Sequence, residues 1–325
     1  MLYPFVFHPL FKERVWGGRR LEELYHKPLP AGVRVGESWE VSDRPGDVSV
    51  IANGPLAGKD LRWLLQNHGP EVLGATTPAP PRFPLLVKLL DARETLSLQV
   101  HPPAGKAARL GGEPKTEMWW IAEAAPGAEL YVGLRQGVTR EEFERRIRDG
   151  TVAECFHRVA VQAGDTMFLP SGRVHAIGAG LVIFEIQQNS DTTYRVFDWN
   201  RVGLDGKPRA LHLAESLESI DFEDFEPSPV RRPPGGPGPV ERHWLVRDPL
   251  FSVEALNLRM GAKVTLPAGR MQILGTTQGE LRVVHGRAAL TLGGGQFCLV
   301  PACLEQVELA ASTPAHLLRV ETGQA

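Results

Sequence analysis

The 325-residue sequence predicts a mostly β fold with few helices, divided into two domains. Short apolar or alternating segments recur along the chain, among them TLSLQVH, EMWWIAE and LVIFEIQQ, and this pattern is typical of strands. The 34 glycines and 27 prolines are spread between these segments, where they favour turns over long helices. A proline-rich stretch in the last third of the chain separates the two predicted domains.

Three segments carry the signals of a helix. In TREEFERRIRDG, Thr139 is a candidate N-cap and Gly150 a candidate terminator. In DLRWLLQNHG, Asp60 is the candidate N-cap and Gly69 the candidate terminator. The third segment is LHLAESLESI (211–220). We therefore expect a small helical insertion within the first two thirds of an otherwise β chain.

The segment EPSPVRRPPGGPGPV (226–240) contains six prolines and three glycines, a composition that cannot hold a regular helix or strand. We therefore predict a first domain at 1–225, a linker at 226–240 and a smaller β domain at 241–325. Such a linker should be sensitive to proteases unless it packs against the rest of the protein.

Charge and cysteine content argue against several classes of protein. The net charge of −2 provides no basic surface for nucleic acid or for an anionic membrane. Three cysteines without a CxxC pair favour neither a disulfide framework nor a cysteine zinc site. No run of about 18 apolar residues is present, and the N-terminus lacks the features of a signal peptide. We expect a soluble cytoplasmic protein with neither nucleic acid nor membrane as partner.

The segment GDTMFLPSGRVH (164–175) has the spacing of a strand, a tight turn and a returning strand. Gly164 and Gly172 permit backbone conformations that a Cβ atom forbids, and Pro170 fixes one residue of the turn. His175 then starts the returning strand, where its ring can face the interior of a β barrel. A buried histidine at such a position is a candidate metal ligand.

Three residues upstream are candidates to complete a metal site with His175. Gln99 and His101 lie two residues apart in LSLQVHPP, so they face the same side of a strand. Glu117 stands at the start of the next predicted strand, in KTEMWW. Two imidazoles, a carboxylate and an amide oxygen suit zinc or another divalent first-row metal.

These motifs resemble those of the cupin jelly roll. The second cupin motif matches from Gly164 to His175, with Ala179 where its terminal asparagine stands. The first cupin motif usually carries His-x-His, and the variant Gln99-x-His101 resembles the form found in type I phosphomannose isomerases. The resemblance implies two cupin-like jelly-roll barrels with a small helical insertion.

Further segments resemble this family in the order expected of its short bacterial form, over most of residues 1–220. They are KERVWGG (12–18), GESWEVSD (36–43) and FEIQQNSDTTYRVFDWNR (184–201). The resemblance implies a zinc-dependent aldose–ketose isomerase that interconverts mannose 6-phosphate and fructose 6-phosphate through an enediol. It implies one zinc ion per chain, and the oligomeric state stays open between monomer and homodimer.

The same resemblance implies roles for five more residues, because isomerisation needs a base, a stabiliser of the developing oxyanion and a hold on the phosphate. Glu185 and Arg195 match the catalytic positions of the family. Glu185 follows the apolar run LVIF, where a carboxylate is costly unless it is paired or functional. The proton-transferring base is either Glu185 or a metal-bound water. The positions that bind phosphate or line its pocket match Ser97, Lys115 and Arg201.

The second predicted domain repeats the motif in damaged form. GQFCLVP (295–301) keeps the spacing from Gly295 to Pro301, but Gln306 takes the position of the histidine. We therefore expect a degenerate cupin-like domain without metal.

Two alternative functions remain open. A cupin oxygenase with Fe(II) would carry His-x-His and an apolar substrate pocket, whereas Gln99 and the nearby basic residues disfavour it. A non-catalytic sugar-binding or regulatory cupin would lack Glu185, Arg195 or a metal ligand, and all of these are present.

Overall fold

The structure is a computed structural model that describes residues 1–74, 80–231, 236 and 238–323. Its helices are α1 (Arg20–Tyr25), α2 (Leu61–Leu73), α3 (Ala104–Ala107), α4 (Arg140–Arg148) and α5 (Leu213–Ser219), with a 3-10 turn at Val152–Cys155. The three helices expected from the sequence are α2, α4 and α5. In α4 the Thr139 hydroxyl caps the first turn by accepting a hydrogen bond from the Glu142 amide at 3.2 Å.

Helix α2 extends beyond its expected end at Gly69. The backbone leaves helical geometry at His68 (φ −140°), and a further turn containing Pro70 follows as far as Leu73. Proline disrupts a continuing helix but suits the first turn of a new one, because its missing N–H would have no partner there. The helix therefore kinks rather than ends at the predicted position.

The remaining elements are strands, and the predicted mostly β class is confirmed. Those before the linker are β1 (Leu10–Gly18), β2 (Val35–Val41), β3 (Asp43–Arg44), β4 (Asp47–Val48), β5 (Leu85–Ala92), β6 (Leu98–Val100), β7 (Glu117–Ala124), β8 (Glu129–Leu134), β9 (Phe156–Ala160), β10 (Thr166–Leu169), β11 (His175–Ile177), β12 (Leu181–Gln188) and β13 (Tyr194–Phe197). Those that follow are β14 (Val240–Arg247), β15 (Phe251–Leu258), β16 (Lys263–Thr265), β17 (Gln272–Gln278), β18 (Leu281–His285), β19 (Ala288–Leu292), β20 (Phe297–Val300), β21 (Glu308–Ala311) and β22 (Ala315–Thr322).

Each half of the chain builds a pair of larger sheets from antiparallel strands. In the first half the strand orders are β1-β2-β5-β12-β7-β10 and β13-β6-β11-β8-β9. In the second half they are β14-β15-β22-β17-β20 and β16-β21-β18-β19. The candidate ligands and catalytic residues lie on β6, β7, β11, β12 and β13 or directly beside them. The site is therefore shared between the two sheets of the first half.

A continuous apolar core joins the two halves. Phe184 on β12 is fully buried, and its ring centroid lies 5.5 Å from that of Phe297 on β20. The N-terminal segment also crosses between the halves, since Phe5 exchanges two 2.8 Å backbone hydrogen bonds with Leu299. The two halves therefore support one another through packing and backbone hydrogen bonds.

The start of the predicted linker is hydrogen-bonded to the first half. Val230 exchanges two backbone hydrogen bonds with Thr166, at 2.7 and 3.0 Å. Residues 232–235 and 237 of the linker lie outside the described residues. The domain boundaries at 225 and 241 stay a prediction, and we expect protection from proteases as far as Val230. No helix in the described part of the chain is long and apolar enough to cross a membrane.

We predict that Phe184→Ala lowers the free energy of unfolding by about 3–5 kcal/mol, because it opens a cavity where the two halves meet. Urea denaturation followed by tryptophan fluorescence measures the change. Met260→Ala is the control, since Met260 is 73% exposed and its loss should change stability by less than about 0.5 kcal/mol. Equal stability of the two variants would show that Phe184 does not hold the halves together.

Candidate metal centre and active-site cavity

Three predicted metal ligands meet in the interior of the first half. His101 directly follows β6, Glu117 begins β7 and His175 begins β11. His175 pairs in register with Gln99 on β6, so the pairing of these strands sets the position of both side chains. His101 and His175 are 1% exposed and Glu117 is fully buried. The turn 170–174 thus reverses the chain direction and places His175 beside β6, the strand that ends just before His101.

Both imidazoles are fixed by backbone carbonyl groups. Nδ1 of His101 lies 2.7 Å from the Thr192 carbonyl oxygen, and Nδ1 of His175 lies 2.9 Å from that of Arg173. Carbonyl oxygens only accept, so each Nδ1 carries the proton and each Nε2 keeps a lone pair. Burial, together with the Lys115 ammonium, lowers the pKa of each histidine to about 4. Both rings are therefore neutral at pH 7, which is the form that binds metals.

The lone pairs converge on one point. Oε1 of Glu117 lies 3.6 Å from Nε2 of His101 and 3.3 Å from Nε2 of His175, and it accepts no hydrogen bond. The three ligand atoms lie within 4.8 Å of one another. Three buried acceptors so close to one another repel unless positive charge lies beside them, and a metal ion at their common point would supply that charge. Among the described residues, this is the one cluster of histidine, cysteine and carboxylate groups with metal-binding geometry.

Lys115 lies against this cluster rather than at a distant rim. Its Nζ atom is 2.5 Å from Oε2 of Glu117 and 3.3 Å from Nε2 of His101. Burial opposes charge on both partners, but Glu117 and Glu185 nonetheless raise the pKa of Lys115 above its usual value. Lys115 and the two histidines likewise hold the pKa of Glu117 well below its usual range. The carboxylate is therefore ionised and available as a metal ligand.

Gln99 lies beside the same cluster. Its Nε2 atom is 3.3 Å from Nε2 of His175, and its Oε1 accepts a 3.4 Å hydrogen bond from the Ser97 hydroxyl. Rotation of the carboxamide by 180° would direct the oxygen toward the three ligand atoms. The structure therefore places Gln99 within reach of the site, and metal ligation by Gln99 stays a prediction.

A cavity of about 670 Å³ opens beside the metal cluster. Five of the predicted functional residues line it, namely Ser97, Gln99, Lys115, Glu185 and Arg195. Arg201 is not among its lining residues. Instead, Arg201 donates to Asp198 at 3.0 Å and to the Thr95 carbonyl oxygen at 2.6 Å. Phosphate binding by Arg201 stays a prediction, although its donors are directed elsewhere.

Glu185 projects from β12 into this cavity. The Trp119 indole donates to its Oε2 at 2.8 Å, and Nζ of Lys88 lies 3.2 Å from its Oε1. Glu185 is 3% exposed, so these two partners offset the cost of burying the carboxylate. The geometry agrees with a functional carboxylate, and its role as the base stays a prediction.

Sequence reasoning missed Lys88 and Glu37, which adjoin Glu185. Lys88 is buried on the neighbouring strand β5, and its Nζ atom also lies 4.0 Å from Oε2 of Glu37. Burial opposes the ionisation of Glu37, but Lys88 and Arg14 outweigh it and lower its pKa to about 2. A signal was present, because a lysine within the apolar run PLLVKLL is as costly to bury as Glu185 after LVIF.

Two arginines reach the cavity from the other sheet and the loop after it. Arg195 on β13 pairs in register with Gln99, and its buried Nε atom has no hydrogen-bond partner. Burial, aided by the charge of Arg209, lowers the pKa of Arg195 from its usual value. Arg209 also lines the cavity and was missed, because a basic residue in the loop segment LDGKPR suggests only solvated charge. Arg195 therefore brings positive charge to the cavity wall close to the metal cluster, and Arg209, which is paired with Asp198, lies on the same cavity.

The fold and the cluster define a class of protein, namely a mostly β protein whose first half buries a His–Glu–His cluster suited to a metal ion. A model of the family "phosphomannose isomerase type I, catalytic domain" matches residues 5–118. A probable mannose-6-phosphate isomerase from Bacillus subtilis is 36% identical over 93% of this chain and 94% of its own. A mannose-6-phosphate isomerase from Streptococcus mutans is 33% identical over 93% of each chain. The chain therefore belongs to the type I phosphomannose isomerases, a family of aldose–ketose isomerases.

Solved structures agree with this assignment. The crystal structure of the mannose 6-phosphate isomerase from Bacillus subtilis superposes with a TM-score of 0.88 at 30% identity, over 98% of this chain and 99% of that one. A putative mannosephosphate isomerase from Archaeoglobus fulgidus gives a TM-score of 0.76 over 99% of both chains. At 22% identity, the second likeness shows the fold alone.

We predict that the desalted protein binds about one divalent ion per chain and that His175→Ala loses it, because the substitution leaves only His101 and Glu117 of the buried cluster. Elemental analysis measures the stoichiometry, and far-UV circular dichroism checks that the β structure persists. His157→Ala is the control, since this histidine lies on β9 outside the cluster and should keep its metal. About two ions per chain would contradict the expectation that the second half is metal-free.

Proposed function

We propose that this protein interconverts mannose 6-phosphate and fructose 6-phosphate with one zinc ion bound by Gln99, His101, Glu117 and His175. The observation that carries the proposal is the convergence of three unprotonated ligand atoms beside a cavity that Arg195 and Arg209 line. Two imidazoles and a carboxylate with an adjacent amide are a donor set that suits zinc. Family membership makes mannose 6-phosphate the first substrate to test.

The metal would supply Lewis acidity to the carbonyl and hydroxyl oxygens of the sugar. Both imidazoles would bind the metal through Nε2, because each Nδ1 already donates to a backbone carbonyl oxygen. Lys115 would keep its ion pair with Glu117 and so fix the orientation of that carboxylate. Such support from neighbouring groups is what holds metal ligands in position.

We assign proton transfer between C1 and C2 to Glu185. Its Oε2 is occupied by the Trp119 indole, whereas its Oε1 makes no hydrogen bond and lies 3.2 Å from Nζ of Lys88 and 3.9 Å from Nζ of Lys115. Oε1 would remove the proton from one carbon and return it to the neighbouring one. A carboxylate held on one oxygen and available on the other suits a base that must reach both carbons.

Arg195 is proposed to stabilise the negative charge that develops on the enediol oxygens. Its guanidinium lines the cavity beside Gln99, and its lack of a hydrogen-bond partner on Nε means that part of its donor capacity is unused. Donors that are already in place when charge develops contribute more than donors that must reorganise.

The phosphate is proposed to bind to Arg209 and the Ser97 hydroxyl. Both residues line the cavity, and an arginine presents a fork of donors that matches a phosphate. Arg201 is proposed to support phosphate binding indirectly, through the Asp198 carboxylate that it shares with Arg209. Lys115, the third residue expected at the phosphate, is proposed to act at the metal cluster instead.

A coupled assay with mannose 6-phosphate, glucose 6-phosphate and fructose 6-phosphate tests the function. We expect turnover of mannose 6-phosphate, its loss after chelation and its recovery on adding zinc. Glucose 6-phosphate serves as the epimer that a selective enzyme should turn over more slowly. No turnover of mannose 6-phosphate by zinc-loaded protein, or activity that survives complete removal of metal, would contradict the proposal.

Arg195→Ala and Arg209→Ala should differ in the kinetic parameter they affect. We predict that Arg195→Ala lowers kcat about 100- to 1,000-fold, as the loss of one oxyanion donor does elsewhere, with little change in KM. Arg209→Ala should mainly raise KM, because a phosphate contact stabilises the ground state and the transition state alike. Steady-state kinetics measure both, with the exposed Arg282→Ala as a control for lost positive charge. The reverse pattern would show that the two roles have been exchanged.

A further inference from the structure

We propose that Asp198 is a positioning residue that holds Arg209 in the geometry required for the phosphate of the substrate, with Arg201 as its counter-charge. This proposal rests on the proposed function and adds residues that do not line the cavity. Three residues, Asp198, Arg201 and Arg209, form the unit that we call the clasp.

A single buried carboxylate joins the two arginines of the clasp. Asp198 is 5% exposed and accepts from Nε of Arg209 at 2.6 Å and from its Nη2 at 2.5 Å. Nε of Arg201 donates to the same carboxylate at 3.0 Å. Nη1 of Arg209 takes part in no hydrogen bond among the described residues, so this end of the guanidinium stays available on the cavity side.

The clasp is anchored to the strand that carries the metal ligands. Nη1 of Arg201 donates to the Thr95 carbonyl oxygen at 2.6 Å, and the Trp199 indole donates to that of Leu96 at 2.7 Å. Thr95 and Leu96 directly precede Ser97 and β6, which carries Gln99. The position of Arg209 relative to the metal cluster is therefore set through short contacts to one segment.

The backbone of the clasp is itself held in an uncommon conformation. Trp199 and Asn200 both have φ of 55°, in the left-handed region that residues with side chains rarely adopt. Such a conformation persists only where the surroundings enforce it. Here the Trp199 ring packs against Phe197 and Tyr131, with centroids 5.3 and 5.6 Å apart. Strain of this kind beside a cavity agrees with a positioning role.

Arg209 needs such support because it follows an exposed loop. Val202 is 51% and Leu204 is 61% exposed, and the loop 202–208 closes through the 2.7 Å hydrogen bond from the Gly203 amide to the Lys207 carbonyl oxygen. An unsupported arginine there would lose rotamer freedom when it binds a phosphate. Fixing it beforehand removes that cost from the binding step.

Arg201 explains how Asp198 can hold Arg209 without neutralising the anion site. One carboxylate between two guanidinium groups leaves the clasp with a net charge of +1. Burial opposes the ionisation of Asp198, but Arg209 and Arg201 outweigh it and lower its pKa. The substrate phosphate therefore still meets positive charge, and the guanidinium that presents it is fixed.

Asp198→Asn in the zinc-loaded protein tests the proposal, since it removes the charge at constant size. We expect KM for mannose 6-phosphate to rise about tenfold, with kcat within about twofold and an unchanged zinc content. The dissociation constant of inorganic phosphate, measured by calorimetry, should rise to a similar extent. Asp198→Glu keeps a carboxylate and should recover part of the affinity. Glu254→Gln is the matched control, because it breaks the buried pair between Glu254 and Arg319 in the second half.

Several results would overturn the proposal. A KM for Asp198→Asn within about twofold of the original value would show that the clasp is not needed. A lower KM would show that Asp198 only neutralises Arg209. Parallel losses of kcat and zinc would indicate a merely structural role. Should Asp198→Asn fail to fold, Arg201→Gln replaces it and must also raise KM and weaken phosphate binding.

The result for the function is separate from the result for the clasp. If the zinc-loaded original protein does not convert mannose 6-phosphate, the proposed function fails. Calorimetry with inorganic phosphate still compares Asp198→Asn with the original protein in that case. Unchanged phosphate binding would then overturn the clasp as well, and weaker binding would support it independently of turnover.

Discussion

The structure of the first half depends on one constraint, namely that two imidazole lone pairs and a carboxylate meet in the buried interior. The Nδ1 atoms of His101 and His175 are committed to backbone carbonyl oxygens, so neither ring can turn its N–H toward Glu117. The two sheets must hold these side chains close in spite of their mutual repulsion, which a cation would relieve. The register of β11 with β6 and the turn before β11 position His175, and the buried start of β7 positions Glu117.

Charges of alternating sign continue from this centre across the inner face of the six-stranded sheet. Each acid lies next to a base on a neighbouring strand or residue, in the order Glu117, Lys115, Glu185, Lys88, Glu37 and Arg14. The nitrogen–oxygen distances along this row range from 2.5 to 4.0 Å. Buried charges are tolerated when each is paired in this way. Because members of the row share partners, the effects of substitutions within it should not be additive.

Local sequence pattern predicted those features that depend on local geometry. The spacing from Gly164 to His175 requires a turn between two strands, and Gln99 and His101 share a face by the period of a strand, so these residues could be predicted to lie together. Lys88 could not be placed next to Glu185 in the same way, because this contact depends on the pairing of β5 with β12, about a hundred residues apart. Arg209 was hidden for a further reason. Arg209 reaches the cavity only because its loop folds back toward it, which the local sequence does not show. Arg201 matches the family motif, but it donates to Asp198 and does not line the cavity.

The segment from Thr95 to His101 unites the two ends of the proposed substrate site. Its first two carbonyl oxygens hold the clasp, Ser97 and Gln99 face the cavity, and His101 contributes to the metal cluster. Between them, Leu98 and Val100 are fully buried, which fixes the segment in the core. Because an extended strand has little freedom in length, this segment would set the distance between a bound metal and a phosphate at the proposed position. At the proposed site, a sugar phosphate would be selected by the separation of its phosphate from its reacting carbons, and phosphate binding would align those carbons with Glu185, the proposed base.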